Sequence, residues 1–123
     1  MKKLFIIYLL LFASQVFANW TLSSEEGGVK YYYDTEKINK EGRYAGVWFL
    51  INLPMKNKYG DKSALSEIKV DCKFFRMKIL SNFSYAKSMG RGSPRTSNQV
   101  ADKNWSSVPS NSHMMTAFEK VCR

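Results

Sequence analysis

Apolar and polar residues alternate most clearly between Leu65 and Tyr85. Ile68, Val70 and Cys72 alternate with Glu67, Lys69 and Asp71, the period of a half-buried β-strand. After Lys73-Phe74 the parity flips, and Phe75, Met77, Ile79, Phe83 and Tyr85 become the apolar set. A two-residue turn at Lys73-Phe74 accounts for the flip. It predicts an antiparallel hairpin pairing Cys72 with Phe75, Val70 with Met77 and Ile68 with Ile79 on one face. Neither turn residue favours positive φ as Asn-Gly would, so the hairpin is better specified than its register.

Earlier segments read the same way. Asn19 to Ser24 predicts a short first strand with Trp20 and Leu22 on one side. Glu25 to Gly28 is a turn, and Val29 to Asp34 is a second strand with Val29, Tyr31 and Tyr33 on one face. Asp34 is placed to cap a single helical turn that tucks Ile38 under the sheet. Lys40 to Gly42 reads as a turn. Arg43 to Leu53 is the most apolar strand, with Ala45, Val47, Phe49, Ile51 and Leu53 on one face and Tyr44, Trp48 and Leu50 on the other. Apolar residues on both faces predict a central strand or one covered on its second side.

Beyond the hairpin the pattern changes. Lys87 to Asn98 has glycines, a proline, no acid and no periodicity, and predicts a long loop, with Thr96 to Trp105 as a further candidate for an edge strand. Ser110 is a candidate N-cap for a helix running to about Val121. Met114, Phe118, Val121 and Cys122 fall at i, i+4, i+7 and i+8, one helical face.

Residues 1–18 have the form of an export leader: Lys2 and Lys3, an apolar stretch from Leu4 to Phe12, then Val16-Phe17-Ala18. The stretch is too short to span a bilayer, which takes about 20 apolar residues. No cysteine stands near the expected cleavage point before Asn19, so no lipid anchor is expected. Removing Lys2 and Lys3 leaves 17 basic against 10 acidic residues, a net charge of +7 for residues 19–123. An exported chain with two cysteines, one on a buried strand face, most simply joins them. A Cys72–Cys122 bond would close a loop of about 50 residues, worth roughly 4 kcal/mol in the chain-entropy model. Two separate buried thiols are the alternative. Docking the apolar helix face and forming the bond ask for the same arrangement. The residues thus predict an α+β domain.

The order of several pieces is similar to a known family. The leader ends in Ala-Asn-Trp, and a Gly-rich turn leads to Tyr31-Tyr32-Tyr33-Asp34 and Ile38. Val47-Trp48-Phe49-Leu50-Ile51, Asp71-Cys72-Lys73, Met89-Gly90, Trp105, a Val-Pro before the helix and Val121-Cys122 follow. The mature chain resembles the bacterial surface-adhesin protein E family. The resemblance implies an antiparallel β-sheet of about six strands with a C-terminal helix packed on it and tethered by a disulfide. It also implies a non-catalytic binding protein, since its best-known member is a surface lipoprotein that binds host vitronectin, laminin and plasminogen. The absent lipidation cysteine departs from that member. A small periplasmic inhibitor or envelope-associated protein is the alternative in function.

Candidate chemistry follows the charge. Lys56, Lys58 and Lys62 form one basic cluster, and Lys87, Arg91 and Arg95 another. Either could hold acidic glycans, envelope phosphates or an acidic protein segment, or serve only as solvated surface. Tyr32 and Trp48 are candidates for a recognition face, although Tyr32 also reads as an ordinary cross-strand residue between two core tyrosines. Export argues against nucleic acid as a physiological partner. Glu67, Arg76 and His113 supply the residue types of a small secreted ribonuclease, but nothing in their spacing brings them together, and His113 reads as an exposed residue of the first helical turn. One histidine and a paired cysteine leave no metal cluster, and no cofactor motif is present.

Overall fold

The computed structural model describes residues 19–98 and 104–123. The expected leader lies outside the described residues, as does the stretch 99–103 of the candidate edge strand. Eight strands form one antiparallel sheet: β1 Trp20–Glu26, β2 Val29–Asp34, β3 Asn39–Glu41, β4 Tyr44–Asn52, β5 Ser63–Asp71, β6 Arg76–Tyr85, β7 Thr96–Asn98 and β8 Ser106–Ser107. Six run in the order β1-β2-β4-β5-β6-β7, while β3 pairs with β4 and β8 with β6. Among the described residues no helix is long and apolar enough to cross a membrane.

The alternation read along the hairpin survives in its centre, where Val70 faces Met77 and Ile68 faces Ile79. The turn differs. Asp71 faces Arg76, and Cys72 to Phe75 form a four-residue connection outside the ladder. Asp71 makes the longer loop possible, because its Oδ1 accepts the amides of Lys73 at 3.0 Å and Phe74 at 3.4 Å. A bulge follows at Leu80, since Ile68 pairs with Ile79 and Glu67 with Ser81. The extra residue moves Phe83 and Tyr85 to the face opposite Met77 and Ile79, so the single apolar face expected for β6 is split between the two sides of the sheet.

One face carries the main core. Helix α1, His113–Val121, lays Ala117, Phe118 and Val121 on Tyr33, Ala45, Val47, Phe49, Ile68 and Val70. Phe118 meets Phe49 edge to face with ring centroids 5.2 Å apart, and each such buried side chain contributes about 2 kcal/mol. The helix begins later than expected: Ser112, not Ser110, is the N-cap, and its Oγ accepts the Met115 amide at 3.1 Å. Cys122 caps the other end and is bonded to Cys72, with Cα atoms 5.5 Å apart. The bond therefore joins the helix C-terminus to the hairpin loop.

Two expectations near β3 change. Asp34 closes a turn by accepting the Glu36 amide at 3.0 Å, without a helical turn, yet Ile38 still packs against the core. Asn39 to Glu41, read as mostly turn, pair with Gly46, Ala45 and Tyr44. The Lys40 ammonium donates to the Arg123 backbone carbonyl.

Among the described residues, a loop segment covers one end of the second face. Segment 87–92, expected to lack anchors, includes a 3₁₀ turn at Ser88–Gly90. The Met89 amide donates to Asn52 Oδ1 at 2.8 Å and the Gly90 amide to Ser63 Oγ at 2.9 Å. Gly90, at φ +65°, lies over Leu50 and Tyr85; a Cβ there would sit 3.5 Å from the Leu50 Cδ1. Leu50 is fully buried beneath it, and burial pushes the Tyr85 phenol above its ordinary value. β7 then extends the sheet beside β6.

Candidate functional site

The other end of the second face is built around one carboxylate. Asp71 is fully buried, and its Oδ2 accepts Arg76 Nη2 at 2.7 Å and Arg43 Nη2 at 3.0 Å. Burial alone would raise its pKa. The Arg76 hydrogen bond, the Lys73 and Phe74 amides and the Arg43 charge more than offset that, and the carboxyl is held below its ordinary value. Both guanidiniums are thereby fixed against the sheet while their outer surfaces stay partly exposed.

Three rings fill the spaces between cations. Arg43 lies over Tyr44 at 5.0 Å and over Phe74 at 5.2 Å. Arg76 lies over Phe74 at 5.3 Å and over Trp105 at 5.2 Å. Lys69 stands 5.0 Å from the Tyr44 ring, Lys73 5.4 Å from Phe74 and Lys78 4.7 Å from Trp105. Tyr44 and Trp105 stack at 5.7 Å, which closes the circuit. The strand pattern dictates this arrangement, because Tyr44 pairs with Asp71, Asp71 with Arg76 and Lys69 with Lys78, and directly paired residues share a face. Trp105 arrives with β8, whose Ser106 and Ser107 pair with Met77 and Arg76.

Beside this cluster lies an open cleft of about 360 Å³, with Gly46 and Trp48 in its floor and Lys37, Glu41, Glu67, Lys69 and Leu80 among its walls. Trp48 stacks on Phe83 at 6.3 Å. Tyr44 and Lys69 belong to both cleft and cluster.

The residues singled out by sequence are dispersed. Lys56 and Lys58 are exposed on the β4–β5 loop, and Lys58 covers the Tyr59 ring at 5.0 Å. Lys62 is not part of a free cluster, since its ammonium donates to the Leu53 and Pro54 carbonyls at 2.8 Å. Lys87 and Arg91 are exposed beside the 3₁₀ turn. Arg95 is held by Asp61 at 3.2 Å and by the Tyr59 carbonyl at 2.6 Å. Tyr32 and Trp48 share the second face, Tyr32 opposite Leu50 and Trp48 opposite Glu67. Cys72 and Cys122 are the disulfide.

His113 is not the exposed residue expected. Its ring stacks on Tyr31 at 4.2 Å, its Nδ1 lies 2.8 Å from Ser24 Oγ and its Nε2 2.7 Å from Glu26 Oε2. It sits on the helix face, whereas Glu67 and Arg76 lie on the other, so the sheet separates the three ribonuclease-type residues. The cation and aromatic cluster escaped the sequence reading because it draws on β4, both hairpin arms and Trp105. Its local trace was the run of basic residues at 69, 73, 76 and 78 on the polar side of the hairpin.

Comparison with known proteins agrees with this architecture. Several solved structures of Haemophilus influenzae protein E share the fold. Crystal form II superposes with a TM-score of 0.67 at 16% identity, covering 89% of this chain and 91% of that one. A second structure gives 0.64 at 14% identity, covering 89% and 87%. The protein from a non-typeable strain gives 0.61 at 14% identity, covering 89% and 78%. No curated protein sequence matches the chain. A family model described as Surface-adhesin protein E matches residues 20–123, the whole of the sheet, the helix and the disulfide that joins them, and the chain therefore belongs to the surface-adhesin protein E family.

Proposed function

We propose that the protein is exported, released from its leader between Ala18 and Asn19, and acts as a non-catalytic domain that attaches to host matrix or serum proteins. The observation that carries this reading is the family match, which spans the mature chain and begins one residue after the proposed cleavage point. Membership in a family of surface adhesins implies an exported or cell-surface location. The non-catalytic reading is supported by membership in a family of surface adhesins.

The test is adhesion of purified protein beginning at Asn19 to immobilised vitronectin, laminin and plasminogen, against albumin. Saturable binding to at least one of the three, absent on albumin, is expected. Equal retention on all four surfaces would remove the adhesin reading. Intact-mass measurement of the exported protein checks the leader separately: a retained residue 1–18 segment or a lipid adduct would overturn the cleavage proposal.

A further inference from the structure

The Asp71 cluster has an electrostatic arrangement that folding alone does not favour. Lys69 and Lys78 stand directly opposite each other on β5 and β6, and like charges at such a position destabilise a sheet. Among the described residues no carboxylate lies within ion-pair distance of Lys69, Lys73 or Lys78, and the buried Asp71 carboxylate is shared by Arg43 and Arg76. Five cations thus surround Asp71, while Glu41 and Glu67 lie towards the cleft on the same face. Same-face neighbours along a strand are about 7 Å apart and adjacent strands about 4.8 Å apart. Lys69, Lys78 and Arg76 occupy a grid of ladder positions with that spacing, and Arg43 and Lys73 stand on the turns beside it. The guanidiniums are locked by Asp71 and by the ring faces, so little side-chain freedom is lost when an anion docks on them.

We propose that this face, centred on Arg76 and bounded by Lys69, Lys73 and Lys78, is a binding site for an extended acidic polysaccharide bearing sulfate or carboxylate groups. Its footprint runs from Lys69 towards Trp105, away from the cleft, where Glu41 and Glu67 would repel a polyanion. The rings argue against single-stranded nucleic acid, whose binding depends on bases stacking on open aromatic faces. Tyr44, Phe74 and Trp105 already carry cations over their faces, and Tyr44 and Trp105 also stack on each other. Neighbouring backbone argues against an added peptide strand, since β3 lies along Tyr44 to Gly46 and β8 along Arg76 and Met77. The proposal deepens the adhesin reading by naming a ligand class, and rests on it only for the ligand's extracellular source.

The experiment compares two triple variants of the protein beginning at Asn19, each lacking three positive charges. Lys69→Ala/Lys73→Ala/Lys78→Ala removes the grid's lysines without touching the Asp71 pairs. Lys56→Ala/Lys58→Ala/Lys87→Ala removes exposed charges elsewhere. The probe is immobilised heparin, read as Kd and as the salt needed for elution. The grid variant is expected to bind roughly tenfold more weakly, as the loss of three exposed ion pairs implies, and to elute at lower salt than the control variant. Its melting temperature should change little, because the lost contacts of the three lysines with Tyr44, Phe74 and Trp105 oppose the relief of the Lys69–Lys78 repulsion. Lys73→Glu alone, on the exposed hairpin connection, should shift elution in the same direction and guards against a misfolded triple variant. Equal weakening by the two triples would reduce the effect to net charge and overturn the site. Binding to a single-stranded oligonucleotide or to polyglutamate that resists salt as well as heparin binding does would overturn the polysaccharide assignment. Matrix-protein adhesion without heparin binding would reject this site and leave the adhesin reading standing. Heparin binding through the grid without matrix adhesion would do the reverse.

Discussion

The two faces of this sheet are made from the same strands and treated in opposite ways. On the helix side, Ala45, Val47, Phe49, Ile68 and Val70 alternate cleanly and are sealed by Ala117, Phe118 and Val121. On the other side, Leu50 is sealed as completely, but by a short segment held through backbone amides on Asn52 and Ser63. A few residues further along the same strand, Tyr44 faces a crowd of cations. Burial on the first face follows from hydrophobic area. The second face divides into a small supporting core and a surface whose charges are held in place by rings and one carboxylate. On this face the supporting core and the proposed recognition surface thus lie at different ends of one strand.

The comparison can be broken most severely at its apolar side. Phe118→Ala should cost about 4 kcal/mol, measured by denaturant unfolding, because Phe118 fills the helix-to-sheet contact. Leu50→Ala should cost about 3 kcal/mol by the same measurement. A cost near that of a surface substitution would mean that the 3₁₀ segment does not form a second core. Cys122→Ser should also cost about 3 kcal/mol, and free-thiol labelling of the oxidised wild-type protein should find no reactive cysteine. Asp71→Asn should cost about 2 kcal/mol, since it weakens the acceptor shared by two arginines and two amides. Asp71 adds a pH signature. Its folded pKa lies below its ordinary value of 3.8, so its stabilisation is complete above that value and lost as the pH falls through the lower folded value. Wild type should lose this increment below pH 3.8, and Asp71→Asn should not. The smallest effect is expected from Lys87→Ala/Arg91→Ala/Arg95→Ala: less than about 1 kcal/mol, nearly all from the exposed Arg95–Asp61 pair.

How much of this was legible depended on whether a feature repeats along the chain. The helix face was legible because period two in β4 and β5 and the helical stripe Met114, Phe118, Val121 mark one buried surface from both sides. The disulfide was legible because Cys72 and Cys122 each end one of those stripes. The Leu80 bulge was missed, although the apolar Leu80 and polar Ser81 interrupt the alternation of Met77, Ile79, Phe83 and Tyr85 where half of that set turns over. The hairpin loop was shortened in the reading because Cys72 and Phe75 continue the apolar alternation on both sides of it. Segment 87–92 looked unanchored because its anchors are backbone amides, which no side-chain pattern reveals. The cationic grid was hidden for a different reason: its basic residues at 69, 73, 76 and 78 are local, but strand register is what joins them to Arg43, Tyr44 and Trp105.

The short strands have a consequence for behaviour at high concentration. β4 and β6 are the long inner strands, yet β4 is flanked on one side by β2 and β3 in succession, and β6 by β7 and β8. At one outer edge, β1 carries an irregularity between Leu22 and Ser24 before ending in Glu25 and Glu26. An incoming copy would therefore meet a kinked and acidic ladder at the β1 border, which makes a poor seed for a growing fibril. The β1 border is thereby disfavoured as a growth point where many copies are crowded together.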